Sequence, residues 1–328
     1  MGKIKRAQKQ QSKADAILTA DLHLTDASPV SRTDDYMLAQ TSKLRFLQAL
    51  SDDNNHCPIL CAGDIFHNWK ASPWLSAWAL TFLPKPMITI PGNHDLPMHS
   101  LEYYDKSGLS LLEKVSKNSN TPFLTVLGPR GDTKTYIGKE IEVIGASFGQ
   151  LKNMEIEQSA NSCKTRILML HELVWPDARP GWGKAEDWSA PELTKKYGKH
   201  FDLILTGDNH QSFVYNDDKN NCLLVNPGSM MRMTADQADY QPWCYLYHAE
   251  DNEVTPIKYP IKKEVHNRDY IDQKNDRDER IAAYIERMNH DWKISLSFPN
   301  NLQAFFAEND TPTKVREIIW QHLEAEKM

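Results

Sequence analysis

The sequence predicts an α/β fold in which two layers of mixed β-sheet form a sandwich flanked by helices, with a small C-terminal α/β cap. Three observations lead there. Short apolar runs that end in polar residues alternate, in the first half, with stretches of helical length. In the second half such runs follow one another across Gly-, Asn- and Asp-rich turns such as 216–221. From about residue 262 the composition changes to charge-rich helix. With 328 residues, 40% hydrophobic and 25% charged, the chain can build one large core and an appendage.

The elements follow in order. Residues 1–13 carry Lys3, Lys5, Arg6, Lys9 and Lys13 with nothing to bury, which predicts a basic flexible tail able to meet phosphates nonspecifically. A main domain is expected over 14–261 and a cap or partner-binding region over 262–328. Strand 16–20 leads into Asp21 and His23, strand 58–62 into Gly63 and Asp64, and strand 87–90 into Gly92, Asn93, His94 and Asp95. Helices are expected at 36–50 and 73–83, the second opened by Ser72-Pro73 as cap and first-turn residue. Trp74, Leu75 and Trp78 on that helix suit core packing or a homodimer surface.

Further strands are expected at 123–127, 141–145, 166–170, 203–206, 212–215, 222–225 and 244–247, with a more antiparallel character. Beyond them come a helix at 276–289, a strand at 293–298 and helices at 301–308 and 313–326. On the last of these, Ile318, Ile319 and Leu323 form an apolar stripe that would dock on the protein's own body or on a partner.

No apolar run approaches the roughly 18 residues of a membrane span, and residues 1–13 do not read as a secretory signal, so a cytoplasmic location is expected. Five cysteines without a CxxC pair suit reduced thiols. A net charge of −6 excludes a basic field over the whole surface, so a nucleic-acid substrate would need a local basic patch or bound cations.

The chemistry is carried by what stands at the strand ends. Loops after the carboxyl ends of strands in open α/β sheets converge on one crevice. Five such ends here carry Asp-x-His, Gly-Asp, Gly-Asn-His-Asp, His171 and Gly-Asp-Asn-His, in that order. Asp21 and His23 are two apart, so an extended backbone would point both to one side. Each element alone is a weak signal; the ordered set of five is a strong one.

This ordered set resembles the calcineurin-like metallophosphoesterase superfamily over roughly residues 14–259. Finer features, namely Gly63-Asp64-Ile65-Phe66-His67, the run Gly92–Asp95 and Asn226-Pro227-Gly228-Ser229, look like its SbcD-type DNA repair exonuclease branch. The resemblance implies a first metal on Asp21, His23, Asp64 and His210, with Asp64 bridging to a second held also by Asn93 and His171. It implies attack by a hydroxide that the two metals activate, His94 assisting at the leaving group and Asp95 orienting its ring. Mixed imidazole, carboxylate and amide ligands suit Mn²⁺, Fe²⁺, Zn²⁺ or Mg²⁺, and the family tips the expectation to Mn²⁺.

One departure stands out. The family has Gly-His-x-His at the last motif, and Asp208 stands where its first His would be. Asp208 as a working ligand, a weakened second site and a catalytically dead site remain three readings. His67, Ser229 and Arg232 are candidate substrate contacts, with Arg179 and Lys184 weaker ones. Trp175, Trp182 and Trp188 follow His171 and could either line a groove for stacked bases or pack their loop on the core.

The implied partners are DNA and, through the C-terminal helices, an SMC-like coiled-coil ATPase subunit. Three functions stay open: a metal-dependent DNA nuclease of repair or recombination, a phosphoesterase for small molecules or phosphoproteins, and a non-catalytic scaffold for DNA ends or the ATPase.

Overall fold

The computed structural model describes residues 12–154, 156, 163–181, 183–184, 187–267, 277–281, 283, 298–309 and 311–325. The chain divides into two compact units, Met1–Asn267 and Arg268–Met328.

In the first unit, one sheet has the order β14 (Glu253–Lys258), β13 (Trp243–His248), β1 (Ala16–Thr19), β2 (Ile59–Cys61), β3 (Met87–Thr89) and β4 (Leu124–Val126). Strands β1 to β4 pair in parallel, while β13 and β14 add an antiparallel edge. The second sheet runs β11 (Phe213–Asp217), β12 (Cys222–Asn226), β10 (Leu203–Gly207), β7 (Thr165–His171), β6 (Ile141–Ala146) and β5 (Lys134–Ile137). Its centre, β6-β7-β10-β12, is parallel, and only β5 and β11 pair antiparallel. The more antiparallel character expected of the second half thus lies in β5, β11, β13 and β14, while the centre of the second sheet is parallel. The centre strands are buried on both faces, which is where parallel sheets occur. A two-stranded ribbon, β8 (Val174–Trp175) with β9 (Trp188–Ser189), lies outside both sheets.

The period-2 alternation of side chains sorts the core into three layers. On β1, Ala16 and Leu18 face the other sheet and join Ile167, Met169, Leu203, Leu205 and Val225. Ile17 points the other way, to the helices α1 (Tyr36–Asp53), α2 (Pro73–Phe82) and α3 (Gly108–Lys117), where Leu44, Leu47, Leu75 and Leu112 meet it. On the far side Leu168, Ile204 and Leu224 bury against Leu193 and Tyr197 of α4 (Ala190–Tyr197). Strand patterns that read as continuous apolar runs therefore mark strands covered on both faces. Ser72 does cap α2, accepting from Leu75 N, with Pro73 in the first turn. Trp74 is 56% exposed while Leu75 is buried.

Residues 262–267 stay with the first unit. Thr33 N donates to Val265 O and Asn267 N to Ser31 O. Cys57, Cys61, Cys222 and Cys244 are buried free thiols and Cys163 is half-buried and free. Among the described residues, no helix is long and apolar enough to cross a membrane.

The second unit contains α5 (Phe298–Glu308) and α6 (Thr313–Ala325). Phe306 of α5 is buried and meets the Trp320 ring edge-on at 6.4 Å. Phe305, Val315 and Ile318 remain exposed. The expected helix at 276–289 and strand at 293–298 lie largely outside the described residues.

Lys43, on the buried side of α1, donates from Nζ to Met230 O and lies over the Tyr259 ring. Burial, with the cations of Arg232 and Arg32 beside it, pulls its pKa down to about 7, against the opposing pull of Asp34. An unfolded chain holds this proton up to the ordinary lysine value of 10.5. Between about pH 7 and 10.5 the unfolded state therefore binds more protons, and this group's contribution to stability rises with pH across that window. Below pH 7 the cost of the buried charge is present in full. Lys43→Met is expected to raise the melting temperature, more at pH 6 than at pH 9; a gain independent of pH would reject the assignment.

Candidate metal centre

The candidate ligands all stand where strands of the two sheets end. β1 ends at Thr19, and Asp21 and His23 follow in the left-handed region (φ 50° and 45°). Their convergence is thus not that of an extended strand, as spacing alone had suggested; two backbone reversals aim them. Asp64 (φ 53°) and Asp208 (φ 77°) share this conformation. It costs a non-glycine residue of order 1–3 kcal/mol and persists only where surrounding structure enforces it. Backbone bonds do so here: Asp21 N donates to Gly63 O, His23 N to Asp64 O and Met230 N to Asp21 O. Gly92 is a packing requirement, because a Cβ there would lie 2.1 Å from Asp64 Oδ1.

Among the described residues three groups of ligand atoms result: two that both face Asp64, and a third made of His23, His67 and His94. In the first, His23 Nε2 lies 3.0 Å from His210 Nε2, with Asp21 close by, and 3.6 Å from Asp64 Oδ2. In the second, His171 Nε2 lies 3.5 Å from Asp64 Oδ2, 3.0 Å from Asn93 Oδ1 and 3.9 Å from Asp208 Oδ1. Asp21 is within reach of this group also. Asp64 Oδ1 is engaged by His94 N at 2.9 Å, which leaves Oδ2 facing both groups.

The donor set fits cations. Asp21 Oδ2, Asp64 Oδ2 and His23 Nδ1 are buried without a hydrogen-bond partner, which is costly unless something else compensates them. His171 Nδ1–H donates to Ala62 O at 2.6 Å, which aims Nε2 at the oxygens of Asn93 and Asp64, the atom a cation would take once that ring is neutral. Several acceptors pointing at one another is the arrangement a dication stabilises. Burial, with Asp64 adding to it against the pull of His171, raises the Asp21 pKa to about 8. Burial also drives His23 well below the usual imidazole value, outweighing Asp64. Burial would lower His171 as well, but Asp64, Asp21 and Asp208 together hold it well above that value.

A cleft of about 350 Å³ opens beside the first group, lined by His23, His67, His94, His210 and Ser229, with Met231 and Met233 among the polar Thr25, Ser28 and Gln237 in its wall. The His94 and His67 rings stack with centroids 5.4 Å apart, and His94 meets His23 edge-on at 4.9 Å. His94 Nδ1–H donates to His67 O at 2.8 Å.

This corrects the role expected for Asp95. Its carboxylate does not orient His94; it accepts from the N–H groups of Ile65, Phe66 and Gly92 and so pins the Asp64 loop to the Gly92 loop. Asp95 is fully buried. Ser229 reaches the cleft, but its hydroxyl donates to Met231 O. Arg232 does not line the cleft. It is buried, with Nη1 on Ala238 O and Nη2 on Lys262 O. Trp175 donates to Asp187, Trp188 packs on Tyr197, and neither lines the cleft; Trp182 lies outside the described residues. Arg179 pairs with Glu192, and Lys184 N bonds to Asp187.

Sequence reasoning missed Met231, Met233, Thr25, Ser28 and Gln237 in the cleft wall. Their one signal was position, just beyond Asp21–His23 and Ser229. It also missed His99, whose Nδ1 bonds to Asn93 O at 3.0 Å.

Asp208 is placed as a ligand of the second group would be, with its carboxylate a quarter exposed. Asp208→Ala is expected to lower bound metal from two equivalents toward one, read by plasma mass spectrometry of the dialysed protein. Unchanged occupancy would remove the ligand role.

Two sheets flanked by helices, with acid and imidazole side chains gathered at the strand ends, define a hydrolase of the metallophosphoesterase type. The sequence matches the calcineurin-like phosphoesterase family over residues 16–212, and the chain belongs to it. The family acts on phosphoester bonds with a dinuclear metal centre. Comparison with curated proteins finds no match. Among solved structures the chain is similar to an archaeal phosphodiesterase, at 12% identity over 74% of this chain and 98% of that one, with a TM-score of 0.35. It is also similar to the sulfate thiohydrolase SoxB of Thermus thermophilus, at 13% identity over 75% of this chain and 57% of that one, with a TM-score of 0.42.

Proposed function

We propose that the protein is a metal-dependent DNA nuclease that hydrolyses phosphodiesters, with Mn²⁺ as its metal. The observation that carries the hydrolytic reading is Asp64 Oδ2, unpartnered and 3.5–3.6 Å from one histidine of each group, beside a cleft that presents His94. When bound, two dications acidify a water and offset charge on the phosphoryl oxygens. The chain's own residues do the rest. The Asp64 and Gly92 loops, tied by Asp95, fix the ligand positions. His94, held by His67 O, presents Nε2 toward the cleft as a proton donor when the ring is cationic. Support for DNA comes from the resemblance in 63–67, 92–95 and 226–229 and from the basic residues of 1–13. Met231 and Met233 in the cleft wall suit contact with a stacked base or sugar.

A second reading, a phosphodiesterase for a small nucleoside-bearing substrate, is favoured by one specific observation. No lysine or arginine is among the described residues lining the cleft. Incubation with Mn²⁺ and labelled single- and double-stranded DNA, beside bis(p-nitrophenyl) phosphate and p-nitrophenyl phosphate, separates the two. DNA cleavage is expected. Turnover of the small diester with DNA intact favours the second reading, and turnover of the monoester alone defeats both.

The exposed Phe305, Val315 and Ile318 support the further proposal that the second unit binds a coiled-coil ATPase subunit. Recovery of such a subunit by the full chain and equally by 1–267 would remove it.

A further inference from the structure

A second cavity in the first unit, of about 360 Å³, shares no lining residue with the cleft except through chain continuity at 229–232. It is lined by Arg32, Lys43, Arg232 and Lys262, with Asp34 as the acid facing them and Asp35 occupied in capping α1. The side chains of Arg32, Lys43 and Arg232 are each no more than 5% exposed. Asp34 is paired with Arg32 through two 2.8 Å bonds, so one buried carboxylate stands against two buried guanidiniums and the Lys43 amine, with the exposed Asp239 also acting on Arg232. Backbone carbonyls take up part of their donor capacity: Arg32 Nη1 donates to Arg232 O, and Lys43 Nζ to Met230 O. Carbonyls are dipoles, however, and leave the charge excess in place.

One unused donor belongs to a lining residue, and further unused polar groups stand behind the lining against Arg32. Arg232 Nε is buried without a partner, as are the Tyr36 hydroxyl, whose ring lies under the Arg32 guanidinium at 5.0 Å, and both ring nitrogens of His266, which forms a bridge with Arg32. Buried cations are ordinarily paired, and buried donors ordinarily bonded. Both deficits have the same remedy, an anion with several acceptor oxygens.

We propose that this cavity is an oxyanion site, separate from the metal centre, which takes a phosphate-sized tetrahedral anion between Arg32, Lys43, Arg232 and Lys262. The burial that depresses Lys43 agrees with it, since an adjacent anion would restore that proton. The site also touches the metal loop, because Met230 receives Lys43 through its carbonyl and donates to Asp21 O through its amide.

Isothermal titration of inorganic phosphate into the metal-loaded full chain tests it. One saturable event is expected that changes less than twofold in Asp64→Asn, which impairs the metal centre. It should weaken at least tenfold in Lys43→Met, a near-isostere, and measurably in Lys262→Ala, whose exposed side chain leaves folding untouched. Binding lost in Asp64→Asn but kept in both lysine variants would assign the phosphate to the metals and overturn the site, as would the absence of saturable binding. A 5′-phosphorylated dinucleotide beside its unphosphorylated form separates a strand-end phosphate from the free anion; tighter binding of the phosphorylated form makes the strand end the source.

Discussion

Asp64→Asn is expected to lower turnover of bis(p-nitrophenyl) phosphate by roughly 10³-fold or more, the scale of losing several kcal/mol of charge stabilisation in the transition state. The reason is specific to one atom. Asp64 Oδ1 is engaged by His94 N, whereas Oδ2 lies without a partner at 3.6 Å from His23 Nε2 and 3.5 Å from His171 Nε2. Asparagine keeps the shape and can keep the bond to His94 N through its oxygen. It then turns an NH₂ group toward both histidines, where a cation would be repelled. Bound metal is expected to fall together with activity, while the far-UV circular dichroism stays that of the wild type. A variant that retains two equivalents of metal and wild-type turnover would show that Asp64 does not join the two groups.

His94→Ala is expected to lower kcat by about 10²–10⁴-fold on DNA, the range for loss of one positioned acid. Metal held through Asp64 should not change, because alanine keeps the amide that bonds to Asp64 Oδ1 and removes only a ring held by His67 O and grouped with His23 and His67. The size of the loss should depend on the leaving group. An alkoxide leaving from a DNA strand needs a proton in the transition state; a nitrophenolate needs much less. A loss several-fold smaller on bis(p-nitrophenyl) phosphate than on DNA is therefore the signature of proton donation. Equal losses on both substrates would point to His94 as a binding residue. Should the wild type and His94→Ala be equally inert with every divalent metal, the scaffold reading would stand.

Much of this was legible in the residues themselves. Metal chemistry demands carboxylate, imidazole and amide donors, and few other side chains substitute for them. Asp21, His23, Asp64, Asn93, His171, Asp208 and His210 could be picked out for that reason, and the structure brings all seven to adjoining strand ends. The sandwich was legible too, because strands covered on both faces must be apolar at nearly every position. The roles of Asp95 and Arg232 were not. Both are polar residues beside a motif, and only the folded chain reveals that Asp95 accepts from three backbone amides and that Arg232 donates to two backbone carbonyls.

By itself, then, the sequence determined which atoms could bind cations and in what order they occur, since donor chemistry resides in the side chain. Tertiary structure alone decided how those atoms divide between two groups and that Asp64 joins them. It also decided that methionines wall the cleft and that Arg32, Lys43 and Arg232 share one cavity. These are facts of proximity between segments far apart in the chain, two hundred residues in the case of Arg32 and Arg232. Backbone reversals at Asp21, His23, Asp64 and Asp208 and the parallel pairing of the sheets create that proximity, and no local propensity specifies it.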